Sequence, residues 1–227
     1  EIKLRRRTEE RRRIAKHRVS TKVLAREAIW AIDGTHLGRE GGRAIEAQVV
    51  KDRGSLAYRS IRTGSASDAP GVIRTLEAGG RPPLVISSDN GSIYCDQRTQ
   101  AWMRENKVVH LLSLPRTPQH NGAAEIGIQE VKALASSPDT LPSAARLLNE
   151  GRHRGSRGYK TSAVLDAEMP AAYDKVDRAV FYEKCMARLS EVRMRPMNWR
   201  DRRMNEREVI YATLEEYGLI KRTGGRA

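Results

Sequence analysis

At 227 residues the chain is long enough for one core of ordinary domain size plus appendages. Its 42 Lys and Arg against 28 Asp and Glu leave a formal charge of +14, which fits a polyanionic partner, nucleic acid before others. No apolar run reaches the roughly 18 residues of a membrane span, no signal peptide is visible, and Cys95 and Cys185 form no C-x-x-C pair, so a membrane protein, a disulfide framework and a zinc site are all disfavoured. Arg outnumbers Lys 32 to 10, which favours forked contacts to phosphate oxygens. A cytoplasmic location, on a bacterial nucleoid, is the default expectation. The start at Glu1, without Met, reads as a fragment of a longer protein.

Residues 1–27 carry 11 Lys or Arg against 4 acids and read as a basic helical arm or linker. Arg5, Arg6, Arg7, Arg11, Arg12 and Arg13 are spaced for a helix that lies on a phosphate backbone or leads to a DNA-binding domain. Residues 28–37 predict a first strand, Gly41-Gly42 a hairpin turn, 44–50 a second strand and 56–61 a third, giving an antiparallel meander. Ser65-x-x-Asp68 opens a helix that Gly79-Gly80 closes near residue 78. A fourth strand at 84–87 is reached through that helical crossover and is therefore predicted parallel to the first. A helix at about 95–106, a fifth strand at 108–112, a Pro-rich loop at 115–122 and a helix from Asn121 to about 135 follow. Asn121 suits the cap of that helix. A short helix is predicted at 141–149, then helices at 179–193 and 205–217. The last of these, followed by Gly-Leu-Ile-Lys-Arg-Thr-Gly-Gly-Arg, suits either a packing extension, the simpler reading, or part of a winged helix.

The chemistry-bearing residues cluster between 84 and 132. Asp89 closes the fourth strand in Ser88-Asp89-Asn90-Gly91-Ser92, and 35 residues separate it from Glu125, which follows Pro118-Gln119-His120-Asn121-Gly122. Two carboxylates beside tight turns suit a hard divalent cation that takes oxygen ligands. These two blocks resemble the catalytic core of retroviral integrases, shared with bacterial insertion-sequence transposases. Upstream, Trp30-Ala31-Ile32-Asp33-Gly34-Thr35 resembles the W-x-x-D-x-T of the same families. Looser echoes, Leu147-Leu148-Asn149-Glu150-Gly151-Arg152-His153-Arg154 and Thr161-Ser162-Ala163, extend the match to about residue 167.

The resemblance implies an α/β, ribonuclease-H-like fold, a five-stranded mixed sheet flanked by helices. It places a catalytic core at 28–167 and leaves 168–227 as a basic, mostly helical extension. It implies a catalytic triad of Asp33, Asp89 and Glu125 holding two Mg²⁺, replaceable by Mn²⁺, with Asp33 bridging the ions and the other two acids each holding one. Paired ions stabilise both the attacking and the leaving oxygen of a phosphodiester displacement. The implied activity is cleavage and strand transfer on double-stranded DNA by a homo-oligomer. Alternatives are a nuclease of the same fold that only hydrolyses, and a non-catalytic, transposon-derived DNA-binding protein. Gln129 and Lys132 lie four and seven residues after Glu125, on the same helix face, and the families use these positions to contact DNA ends. Glu130, five residues on, is turned about 140° from that face. His120 and Asn121 sit in the loop beside the triad and are candidate DNA or water contacts. Thr35 and His36 read as strand and turn residues near the site rather than ligands. With five scattered His, the amino-terminal zinc module of retroviral integrases is not expected in this chain.

Overall fold

A computed structural model describes residues 20–65, 68–114 and 122–224. Its central sheet has the order β4-β3-β2-β5-β6. The strands are β2 (Ile29–Glu40), β3 (Arg43–Asp52), β4 (Tyr58–Ser65), β5 (Val85–Ser88) and β6 (Val109–Leu112). β2, β3 and β4 form the expected antiparallel meander, and β5 and β6 run parallel to β2. The crossover helix α1 (Ala69–Ala78) starts at Asp68, whose side chain accepts from the Gly71 amide, with Pro70 in the first turn where no donor is lost. After β5 come a single helical turn α2 (Ser92–Cys95) and α3 (Gln97–Glu105), the latter capped by Asp96. Helices α4 (Gly122–Leu134), α5 (Leu141–Gly151) and α6 (Ser162–Glu168) follow β6, with the small hairpin β7 (His153–Arg154) and β8 (Lys160–Thr161) between the last two.

Side chains alternate across a strand, so each face of the sheet takes its own helices. Trp30, Ile32, Val50 and Ile86 point to one face and pack with Val72 and Leu76 of α1, Tyr94, and Trp102 and Met103 of α3. On the opposite face Ala47 and Val49 meet Ile128 and Val131 of α4 and Leu141 and Leu148 of α5. The rest of that face, Ile29, Val85, Val109 and Leu111, is covered by the last two helices. These are α7 (Arg178–Met194), through Phe181, Cys185 and Leu189, and α8 (Trp199–Glu216), through Ile210 and Leu214.

Two expectations are corrected here. Residues 20–23, placed in a helical arm from sequence, form strand β1 (Ser20–Val23), paired antiparallel with β9 (Ile220–Thr223). The reason is tertiary: Val23 and Ile220 are buried in the cluster that also holds Leu214 and Phe181. The helix–strand pattern that suited a winged helix is this same α8–β9 unit, built into the main core. Helix α8 also begins at Trp199, six residues ahead of the predicted start, because Asn198 caps it by accepting from the Asp201 amide. Among the described residues no helix is long and apolar enough to cross a membrane.

Candidate active site

In the parallel pair β2–β5, Ala31 lies opposite Ser87. Continuing that register by two residues brings Asp33, the fifth residue of β2, level with Asp89, just past the end of β5, and neighbouring strands of a sheet are about 4.8 Å apart. With a period of two, both fall on the face of Ala31, the face that α4 and α8 cover. Asp33 Oδ1 accepts from the Gly34 amide at 2.9 Å. Asp89 begins a tight turn in which its Oδ1 accepts from the Gly91 amide at 2.9 Å, while Asn90 Nδ2 donates to the Ser113 carbonyl at 2.7 Å. A Cβ on Gly91 would stand 3.0 Å from Asp89 Oδ1 and 3.3 Å from the Tyr94 ring, so the turn admits a larger residue only by displacing them.

Tyr94 seals the pair from the other face. Its ring is buried and its hydroxyl donates to Gln48 Oε1 at 2.7 Å. Burial, and after it the negative charges of Asp33 and Asp89, push the phenol well above its ordinary range, so it stays neutral beside the two acids. Gln48 lies opposite Gly34 in the β2–β3 ladder, and a Cβ on Gly34 would come within 2.7 Å of Gln48 Nε2. The Gly after Asp33 therefore makes room for the amide that holds Tyr94.

Asp89 is also fixed from its backbone. Ser88 Oγ donates to the Asp89 carbonyl at 2.7 Å and lies 2.8 Å from His110 Nε2, while Gln100 Nε2 lies 2.8 Å from His110 Nδ1. Because the Ser88 proton is committed to Asp89 and Gln100 donates, the consistent tautomer carries its hydrogen on Nε2. Burial, and then the charge of Arg203, lower His110 to about 3, so the ring is neutral.

Glu125 projects from the first turn of α4 into a groove of about 630 Å³ lined by Asp33, Gly34 and Thr35 of β2 and by Glu125, Ile128, Gln129, Lys132 and Ala133 of α4. Lys132 Nζ donates to Thr35 Oγ1 at 3.3 Å and to the His36 carbonyl at 3.2 Å, which puts its positive charge two residues from Asp33 on the same strand. The back of α4 is anchored by Glu130. That side chain is buried and accepts from Arg154 at 2.5 Å, Tyr58 at 2.7 Å and Lys51 at 3.0 Å. Burial alone would raise the Glu130 carboxyl, but the hydrogen bonds from Arg154 and Tyr58 and the Lys51 charge outweigh it and hold the group down to about 2. Gly127 lets the helix sit this close: a Cβ there would meet Lys51 Cδ at 3.1 Å and the Tyr58 ring at 3.4 Å.

The structure thus brings Asp33, Glu125, Gln129 and Lys132 to one groove and leaves Asp89 just past the end of the neighbouring strand β5. Among the described residues no three acids, histidines or cysteines stand within reach of one metal ion. Asp96 is spent on capping α3, and Glu130 is committed to its ion pairs. His120, Asn121 and Arg5, Arg6, Arg7, Arg11, Arg12 and Arg13 lie outside the described residues. Tyr94, Gln48 and His110 had no signature in the sequence, because their partners lie 46 and 22 residues away and only the topology pairs them.

No protein-family profile matches the chain. Over 99 residues, 43% of its length, it is 28% identical to the intracisternal A-particle Pol-related polyprotein of mouse intracisternal A-particle MIA14, of which it spans 11%. Among solved structures it resembles a chain of the simian T-cell lymphotropic virus intasome in complex with PP2A regulatory subunit B56 gamma. That match has a TM-score of 0.58 and 22% identity, covering 64% of this chain and 56% of that one. It also resembles the HTLV-2 integrase catalytic core domain in complex with magnesium, in its trimeric form, with a TM-score of 0.52, 19% identity and coverage of 64% and 99%. The fold is that of an integrase-like catalytic core, a ribonuclease-H-like mixed sheet with helices on both faces, followed here by a helical carboxyl-terminal region.

Proposed function

We propose that the chain is the catalytic core of a DNA transposase or integrase, cutting a phosphodiester and transferring the freed 3′-hydroxyl to a second DNA. The observation that carries this reading is Asp33 inside β2, two residues past its last pairing with β5, with Asp89 just beyond the end of β5 and a groove lined by Asp33 and Glu125. The donor chemistry fits a hard cation, since all three side chains offer carboxylate oxygens. Asp33, Asp89 and Glu125 would hold Mg²⁺, which supplies charge stabilisation for the attacking and leaving oxygens when bound. Two of these acids are set by strand register. The third rides on the first turn of α4, which must draw inward for all three to share an ion. Tyr94 backs the two strand-end acids with a neutral hydroxyl and excludes water from beneath them. Lys132, held on Thr35 and the His36 carbonyl, presents a cation where a phosphate would lie against Asp33. Gln129 faces the same groove with uncharged donors and acceptors suited to a base edge or a phosphate. Magnesium in the HTLV-2 core and the assembly of the simian viral chain in an intasome support metal-dependent action on DNA by an oligomer. Labelled DNA incubated with the protein and Mg²⁺ or Mn²⁺ tests the reading. Joined products support strand transfer, cleaved products alone reduce the reading to a nuclease, and neither product overturns it.

A further inference from the structure

Helix α8 is oriented by two fixed points. Its carboxyl end leads into β9, where Ile220 pairs with Val23, and the Leu24 amide bonds the Leu219 carbonyl at 2.8 Å just ahead of the start of β2. Nearer its amino end, Arg207 Nη1 donates to the Leu112 carbonyl at 2.5 Å, and Leu112 pairs with Ser88 at the carboxyl ends of β6 and β5. Helix α8 therefore runs antiparallel to β6, and everything before Arg207 projects beyond the edge of the sheet that carries Asp89. Trp199 lies eight residues earlier, about 12 Å further along the axis, and the four-residue spacing keeps Trp199, Arg203 and Arg207 on neighbouring tracks of one helix side.

The tip of the α7–α8 hairpin, residues 193–203, carries five arginines, Arg193, Arg195, Arg200, Arg202 and Arg203, against one acid, Asp201. Buried Glu206 links the two helices by accepting from Arg193 at 2.9 Å and also accepts from Arg203 of its own helix at 3.0 Å, and with that acid counted the tip still carries a charge of 5 − 2 = +3. Trp199, at the start of α8, is 64% exposed, and Met194, at the end of α7, is 85% exposed. The two other tryptophans are core residues, Trp30 at 1% and Trp102 at 8%.

We propose that this hairpin tip is a nucleic-acid lobe of the active site, in which the exposed Arg195 and Arg200 hold backbone phosphates and Trp199 stacks on an unpaired base of the strand leaving the cleavage point. Basic side chains interleaved with an exposed aromatic ring are what single-stranded nucleic acid requires, because every base offers a π-face and every linkage a charge. A paired duplex hides those faces, so Trp199 selects the unpaired segment next to a cut end. The inference rests on the proposed action on DNA and specifies which strand the added helices serve.

Because Trp199 is the exposed tryptophan, acrylamide quenching of the full chain's fluorescence reads this site directly. The probes are a duplex oligonucleotide with a short unpaired 5′ tail and a blunt duplex of the same sequence, both in EDTA, with cleavage then assayed in Mn²⁺. The tailed duplex is expected to shield Trp199 and to bind several-fold tighter than the blunt one. Trp199→Ala should abolish that preference and leave blunt-duplex binding and thermal melting unchanged, while Trp199→Phe should retain it. Cleavage of the tailed duplex with Trp199 still fully quenchable overturns the inference and leaves the strand-transfer reading standing. Equal shielding by both duplexes, or shielding by protein concentration alone, overturns it in favour of a duplex contact or a second copy. Absence of both binding and cleavage overturns inference and function together.

Discussion

Asp89 is gripped at its carbonyl by Ser88, at one carboxylate oxygen by Gly91, and through the next residue by the Ser113 carbonyl. None of these contacts needs the carboxylate to be charged, since the Gly91 amide binds an amide oxygen equally well. Asp89→Asn should therefore fold, melt within about 0.5 kcal/mol of the parent as ordinary surface substitutions do, and bind DNA, yet lose cleavage. Circular dichroism, a binding titration and a labelled-strand assay together check this, and residual cleavage at the parental rate removes Asp89 from the chemistry. His110 makes a separate prediction at the same scale. Its ring is lowered to about 3 from an ordinary 6.5. The unfolded chain thus takes up a proton that the folded one refuses. The stability this holds is complete above pH 6.5 and is lost as pH falls from 6.5 toward 3. Urea midpoints should decline across that window, and His110→Gln should flatten the part between pH 6.5 and 5.

At this scale the proposed site was legible wherever it is carried by short motifs. Asp33, Asp89 and Glu125 each stood beside a turn with a recognisable neighbourhood. Tyr94, Gln48 and His110 did not, because a Tyr inside a helical turn or a His inside a strand looks like any other until the ladder places Gln48 opposite Gly34 and His110 opposite Ile86.

Among the elements, α4 is decisive, since it carries one proposed ligand on its front and an ion cluster on its back. Glu130, placed off the Glu125 face by helical geometry, is indeed buried against Lys51, Tyr58 and Arg154. Glu130→Gln leaves two buried cations with no anion, and loss of one partner from such a pair costs about 3–5 kcal/mol. Denaturant unfolding should show that loss, with DNA cleavage falling as α4 loses its footing on β3 and β4. The carboxyl held down to about 2 makes the same prediction in pH: its stabilisation is present above 4.5 and disappears as pH falls from 4.5 toward 2. Lys132→Ala acts on the other face. One phosphate contact fewer should weaken DNA binding evenly across sequences and reduce the slope of log K against log salt by about 1. An unchanged slope would leave Lys132 as a strap between α4 and β2. The meander, the parallel fourth strand and most helix limits were legible from periodicity and turn residues, whereas the crossover helix starts at the cap Asp68 and not at Ser65, which ends β4. The start of α8 was not legible, because Met197-Asn198-Trp199 carries its signal in a single capping Asn.

Over the whole molecule, the carboxyl-terminal helices are part of the same core as the central sheet. Phe181, Cys185, Leu189, Ile210 and Leu214 bury the face made by Ile29, Val85, Val109 and Leu111, and β9 pairs with β1. Leu214→Ala should cost about 2–5 kcal/mol, the range for a fully buried leucine. Because the core is shared, circular dichroism and tryptophan fluorescence should report one coincident unfolding transition, and two separate transitions would show the extension to be its own unit. From sequence this region read as an appendage, since its apolar residues announce a buried face without saying what covers it. Topology supplies the cover, and with it the hairpin tip that projects beyond the carboxyl ends of β5 and β6.

The account stands on Asp33 and Asp89 offering oxygens to one cation from adjacent strands, with Glu125 closing in from α4. Anomalous scattering from crystals of the protein grown with Mn²⁺ and a cleavage-site oligonucleotide tests this directly. The account predicts a manganese peak touched by the carboxylates of Asp33, Asp89 and Glu125. A fully occupied ion elsewhere, with those three side chains turned away from it in a complex that still cuts DNA, would contradict it.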